Sequence, residues 1–390
     1  MNKIVVFTGT RAEYGLLYLL LKELEFAEKS GDIIFQLWAG GSHLSQQYGY
    51  TIEHILADGF TVTEQLDFLQ TSHSAKGTAK SLAKATELAA IAFEKHQPDL
   101  LVLLGDRYEA LALAQTAMLF QVPIAHIHGG EITRGAVDDV IRHAISKMSH
   151  IHFVAAEPYR QRLIQMGEQP SQVFNVGAPG LDYLHETTFL TSAELSTLFG
   201  FDFTKPYFLI TYHPETLDKQ DPVEQLEALL LALAHFPQHQ LVITYPNSDT
   251  FSDGLIKCLQ HFQQQHSRVL LLTSMGHVRY LSAMKNADLV IGNSSSGIIE
   301  APSFNVPTVN IGDRQKGRLA SDSVLHCTGN TQEIIDTINQ GLIIKKTAEP
   351  SFYRNPYGQG QASKQIAKHL VGYAAPAKLH KEFFDMDGQL

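Results

Sequence analysis

A chain of 390 residues is too long for one ordinary hydrophobic core, so two domains are the default expectation. With 44% hydrophobic and 18% charged residues it is not a mostly disordered chain; a formal net charge of -10, without any Lys/Arg-rich block, excludes a sequence-independent nucleic-acid binder, which needs a basic face against phosphates. Two distant cysteines, Cys258 and Cys327, lack metal-type spacing and fit a reduced, cytoplasmic setting, and neither a signal peptide nor a membrane-length apolar run is legible.

The first apolar run, "KIVVF", empties into "TGTRAEYG", a strand-to-helix turn carrying Arg11 but no Gly-x-Gly-x-x-Gly dinucleotide fingerprint. Further strand candidates follow in "IIFQLWA", "DLLVLLG", "VPIAHIH", "IHFVA" and "VFNV", and after these in "YFLITY", "QLVITY", "RVLLLT", "DLVIG" and "VPTVNI". Between them lie helical periods such as Leu16 to Glu28, Ala79 to Lys95, Val137 to Met148 and Pro222 to His235. Unbroken apolar strands alternating with helices predict parallel sheets covered on both faces. The rhythm breaks over residues 178–206, which places a hinge near Ala178 and predicts two Rossmann-like α/β domains, 1–178 and 179–360. The last helical pattern, "GQASKQIAKHLVGYAA", follows a Pro/Gly-rich crossing and is expected to return, with the tail 361–390, to the first domain. Ligands of such sheets bind beyond the strand C-termini, so the expected site is a central cleft onto which both domains face.

Polar residues cluster at those strand ends. Asp106 and Arg107 follow "LLVLLG"; an N-cap and a surface charge are the plain alternative to a carboxylate aimed at the ligand. In "PIAHIHGGEIT", His126 and His128 alternate along a strand, and Gly129-Gly130 lets Glu131 turn to the same mouth; His-x-His beside an acid is compatible with a metal, but no further ligand cluster accompanies it. Asp138 and Arg142, and likewise Asp139 and His143, stand four apart on the next helix, where a solvated ion pair is the ordinary reading. His213 follows "FLITY" and Asn247 follows "QLVITYP". The strongest signal is "DLVIGNSSSGIIEAP", in which Ser294, Ser295 and Ser296 open a helix as an anion cradle and Glu300 is offered to a ribose; Arg314 in "IGDRQKGR" joins the same end. A nucleotide diphosphate bearing a second group is the expected ligand.

In order over most of the chain, "TGTRAEYG", "LLGDRYEALA", "HIHGGEIT…DDVIRHAISKMSH", "YHPET", "YPNSDT", "IGNSSSGIIEAP" and "NIGDRQKGR" resemble the UDP-N-acetylglucosamine 2-epimerases, in their hydrolysing, sialic-acid-type branch. The resemblance implies a glycosyltransferase-B architecture, no metal or NAD cofactor, a UDP-sugar substrate, and a homodimer or homotetramer. It implies elimination of UDP from C1 of UDP-N-acetylglucosamine to a 2-acetamidoglucal, then addition of water to give N-acetylmannosamine. Carried over residue by residue, Asp106, Glu131 and Asp138 are the acids, with Arg142 positioning the sugar or an acid. His213, Arg11, Arg107, Ser294, Ser295, Ser296, Glu300, Arg314 and, more weakly, Asn247 serve nucleotide and diphosphate. The "HIHGG" here stands where several relatives have "HIEGG", which makes His128 a second candidate for the C2 proton. The same reaction on UDP-N,N'-diacetylbacillosamine, on the legionaminic acid route, is the nearest alternative; a non-hydrolysing epimerase, a glycosyltransferase, a silent nucleotide-sugar sensor and a metallohydrolase are the others.

Overall fold

The computed structural model describes residues 1–70, 75–133, 137–214, 221–246, 252–374 and 379–386. They divide into two compact units, one of Met1–Glu131, Val137–Asp182 and the chain from Gly360 onward, the other of Tyr183–Gln359 together with Ile132 and Thr133.

In the first unit β1 (Asn2–Thr8), α1 (Arg11–Lys29), β2 (Ile33–Gly40), α2 (Ile52–Ala57), β3 (Val62–Leu66), α3 (Ala75–His96), β4 (Leu100–Leu104), α4 (Tyr108–Leu119), β5 (Ile124–Ile127), α5 (Val137–Met148), β6 (Ile151–Val154), α6 (Glu157–Gln165) and β7 (Val173–Asn175) follow one another. The strands form a wholly parallel sheet in the order β3-β2-β1-β4-β5-β6-β7. Its central strands are buried on both faces, which is why they read as unbroken Val, Ile and Leu runs. Two apolar cores cover the faces. One gathers Leu17, Leu20 and Leu24 of α1 with Ile366 and Leu370 of the returning C-terminal helix; the other gathers Phe93 of α3 and Leu113 of α4 against Val5 and Leu101.

The second unit runs α7 (Tyr183–Glu186), α8 (Ser192–Phe199), β8 (Tyr207–Thr211), α9 (Pro222–Ala234), β9 (Gln240–Thr244), α10 (Ser252–Gln265), β10 (Val269–Leu272), α11 (His277–Asn286), β11 (Leu289–Gly292), α12 (Ser295–Ile299), β12 (Thr308–Ile311), β13 (Val324–Cys327) and α13 (Thr331–Thr347). Its parallel sheet has the order β10-β9-β8-β11-β12-β13. The chain closes with α14 (Ala362–Val371), whose N-terminal amides, those of Ala362 and Ser363, donate to the buried Asp182 carboxylate at 2.7 and 2.6 Å.

Two Rossmann-like α/β units and a last helix that returns to the first are therefore what the alternation of runs predicts. Each sheet reverses its order once, between β1 and β4 in the first unit and between β8 and β11 in the second. Such switch points are where open α/β sheets bind ligands. They sit at Gly9–Arg11 with Gly105–Arg107, and at Tyr212–His213 with Asn293–Ser294. Among the described residues no helix is long and apolar enough to cross a membrane.

Candidate active site

At the first switch point, Thr10 caps α1 and Glu13 closes a capping box, its Oε2 accepting from the amides of Gly9 at 2.7 Å and Thr10 at 3.1 Å. Arg11 is the first residue of that helix. From the end of β4, Arg107 donates through Nε to Glu109 Oε1 at 2.7 Å, and Glu109 is itself buried. Burial, then repulsion from Glu109, pushes the Glu13 carboxyl up, against the lowering pull of Arg107 and the Gly9 and Thr10 amides. Neither Glu13 nor Glu109 was singled out from the sequence. The capping-box spacing of Thr10 and Glu13 was the available signal.

Asp106 receives a charge-assisted hydrogen bond from Arg142 Nη2. Arg142 is 2% exposed, and its Nη1 stands 3.9 Å from Asp139. Arg142 thus reaches inward from α5 to Asp106, while Asp138, on the same helix, is exposed. Asp139 Oδ2 stands 3.7 Å from His143 Nε2, but burial lowers that imidazole's pKa, so the contact is to a neutral ring at pH 7.

The two histidines of "HIHGG" part company. His126, inside β5, is wholly buried with both ring nitrogens engaged, Nε2 on the Gly105 carbonyl at 2.7 Å and Nδ1 on Ser146 Oγ at 3.0 Å. A carbonyl only accepts, so Nε2 carries the proton, and burial pushes this imidazole down to about 3. It is a structural post between β4 and α5, which takes away the first ligand of a His-x-His metal site.

His128 has left the strand and adopts φ +65°. Its amide donates to the Phe153 carbonyl at 2.9 Å, and its Nδ1 meets Glu131 Oε1 at 2.5 Å. Both side chains are buried, and Nε2 of His128 has no hydrogen-bond partner among the described residues. A carboxylate on Nδ1 fixes the tautomer, leaving the lone pair of the neutral ring on Nε2. The turn that allows this depends on Gly130 at φ +76°, where a Cβ would fall 2.5 Å from the Tyr159 carbonyl oxygen.

In the second unit His213 and Asn293 clasp the ends of β8 and β11. Asn293 Oδ1 accepts from the His213 amide at 2.7 Å, and Asn293 Nδ2 donates to the His213 carbonyl at 2.9 Å. The Asn293 carbonyl in turn accepts from Arg314 Nη1 at 3.1 Å and Gln315 Nε2 at 2.8 Å. The His213 imidazole is buried, and burial, then the positive Arg314, holds it well below its ordinary range, so it is neutral at pH 7. Asn293 lay inside the quoted motif without being picked out.

Ser294 caps α12, accepting from the Ser296 amide, and Ser296 Oγ also bonds Tyr280 at 2.7 Å. Ser295, partly exposed, begins the helix proper. That helix is only five residues long, so it offers backbone amides and hydroxyls rather than a long dipole. Glu300 is its C-cap. Burial pushes its carboxyl up to about 8, against the opposing pull of Arg318. Asn247 lies outside the described residues.

The family model for UDP-N-acetylglucosamine 2-epimerases matches residues 25–371. The chain is 37% identical to the GDP/UDP-N,N'-diacetylbacillosamine 2-epimerase (hydrolyzing) of Campylobacter jejuni, with 99% of each chain covered. It is 38% identical to the UDP-N,N'-diacetylbacillosamine 2-epimerase (hydrolyzing) of Legionella pneumophila, over 95% of this chain and 96% of that one. The solved structure of the Neisseria meningitidis UDP-GlcNAc 2-epimerase bound to UDP-GlcNAc superposes with a TM-score of 0.79 at 20% identity, covering 96% of this chain and 100% of that one; it is alike in fold.

Proposed function

The chain belongs to the UDP-N-acetylglucosamine 2-epimerase family, in its hydrolysing branch, and from that premise we propose that its substrate is UDP-N,N'-diacetylbacillosamine. UDP-N-acetylglucosamine was the first reading of the motifs. The observation that carries the change is end-to-end likeness, at 37% and 38% identity, to two proteins named for the diacetylated sugar.

In this reading the C1–O bond to UDP breaks and the C2 proton is removed, leaving a 2,3-unsaturation-free glycal with its double bond between C1 and C2. Water then adds its oxygen to C1, and a proton returns to C2 on the opposite face, releasing the manno-configured sugar and UDP. A C2–H beside an amide-bearing carbon is far too weak an acid for a protein base until C1 becomes electron-poor. Fixed dipoles and cations at the departing phosphate therefore supply the main stabilisation. Ser294, Ser295, Ser296, His213 and Arg314 are assigned to the nucleotide diphosphate, Glu300 to the ribose, and Arg11 and Arg107 to the charge of the leaving group.

The proton work falls to the His128–Glu131 pair. Glu131 orients the ring through Nδ1 and offers Nε2 as the base, a carboxylate–imidazole arrangement for proton transfer. Asp106, steered by Arg142, is the second acid, with Asp138 a more exposed third. No step in this scheme calls on a metal or NAD.

The test offers both UDP-sugars to the protein in deuterated water. Faster turnover of the diacetylbacillosamine nucleotide, with free UDP and deuterium at C2 of the product, supports the proposal. Preferential turnover of UDP-N-acetylglucosamine returns the first reading, and an epimerised sugar still attached to UDP overturns hydrolysis.

A further inference from the structure

The described tail, residues 379–386, meets the first unit where two helices end. Lys381 Nζ donates to the carbonyls of Lys147 and Ser149, both at 2.7 Å, with the Ser146 carbonyl at 3.4 Å. It thereby puts an ammonium on carbonyls at the C-terminus of α5, the negative end of its dipole. The same ammonium stands 2.5 Å from Glu168 Oε2, a buried carboxylate that also bonds His152 Nε2 at 2.8 Å and Lys147 Nζ at 3.0 Å. Burial raises the Glu168 carboxyl, but His152 and then Lys381 outweigh it and hold it at about 2.

Three residues on, the Phe384 amide donates to the carbonyl of Gly167, just past the end of α6, at 2.9 Å. The Phe383 ring lies so close over Gly167 that a Cβ there would overlap it, and Lys147 Nζ sits 4.5 Å from the ring centroid. Both helices so tied hold the acid cluster by their other parts. On α5, Arg142 bonds Asp106 and Ser146 bonds His126. On α6, Arg162 donates to the Gly130 carbonyl, while Tyr159 and Leu163 pack against Gly130 in the turn that presents His128 and Glu131.

We propose that Lys381–Phe384 is a strap that fixes the registry of α5 and α6, with Lys381 a positioning residue for the Arg142–Asp106 and His128–Glu131 pairs. The catalytic half of this inference rests on the reaction proposed above. A buried ion cluster is a weak way to add stability and a better way to hold one arrangement against others. A small displacement of groups that must meet a reacting carbon is costly to rate even when its origin is remote.

The test compares full-length Lys381→Met, Lys381→Arg and Phe383→Ala with the unsubstituted protein. Amide exchange is read in α5 against α9 of the other unit, and kcat and KM are read with the UDP-sugar. Lys381→Met is expected to speed exchange in the last turns of α5 alone and to lower kcat about tenfold. KM should stay within about twofold, because the nucleotide grip is untouched. Lys381→Arg should restore most of kcat, since it keeps the charge and donors. Phe383→Ala should give a milder version of the same pattern and serves if Lys381→Met does not fold. Faster α5 exchange with unchanged kcat overturns the positioning role, as does failure of arginine to rescue. If no UDP-sugar is turned over by the unsubstituted protein, the exchange contrast alone decides the strap, and its absence sinks it.

Discussion

His128 is held in left-handed backbone, a conformation unfavourable for a residue with a Cβ, by its amide bond to Phe153 and its side-chain bond to Glu131. His128→Gln keeps a polar side chain but removes the titratable lone pair, and should lower kcat by about 10²–10⁴ with UDP affinity retained. Turnover near that of the unsubstituted protein would take the imidazole out of the proton path. Glu300 gives a pH signature. Its folded carboxyl keeps a proton up to about 8 that the unfolded chain releases near 4.5, so its contribution is fully present below 4.5 and is lost as pH rises towards 8. Glu300→Gln should therefore gain stability relative to the parent across that window, by at most about 1.4 kcal/mol per pH unit. Urea unfolding at both ends of the window measures it, and a parallel pH dependence in the two proteins contradicts the buried neutral acid.

Among the elements, the Asn293 clasp joins the two strands that flank the second switch point. Asn293→Ala removes both bonds to His213 and leaves buried backbone groups unsatisfied, at a cost of about 2–3 kcal/mol. Chemical denaturation checks the cost, and weaker UDP binding should accompany it. The strands flanking that clasp were legible because burial on both faces forces apolar runs. β3 and β13 were not, because "VTEQL" and "VLHC" interleave polar and exposed residues, whereas the other two edge strands, β7 and β10, lie in readable apolar runs. Strand ends also exposed most of the candidate site, since Asp106, His213 and the serines follow apolar runs directly. What the spacing could not convey was partnership. Arg142 makes its close bond to Asp106, 36 positions away, and the tail finds the ends of α5 and α6.

For the molecule as a whole, the division of labour is testable by separating binding from turnover. Asp106→Asn should abolish turnover, yet UDP at a hundred times its Kd should still add about 2.7 kcal/mol of stability, as in the parent. A thermal shift lost in Asp106→Asn would mean that the first unit is needed to hold the nucleotide itself. Length and the alternation of runs were enough to show two parallel α/β units. The exact points of exchange between them depend on contacts such as Asp182 with Ala362 and Ser363, which link distant stretches of chain and leave no periodic trace.

That link has a consequence for how the protein is made. Apart from Ile132 and Thr133, the described part of the second unit comes from the stretch Tyr183–Gln359, whereas the first is closed only by α14 and the residues after it. On the roles proposed above, a ribosome releasing the chain from its N-terminus would deliver the unit assigned to the nucleotide while the unit assigned to proton transfer still waits for its last helix. Nascent chains arrested near residue 360 should retain UDP but lack the closing helix, so chemistry would begin only once synthesis is nearly done.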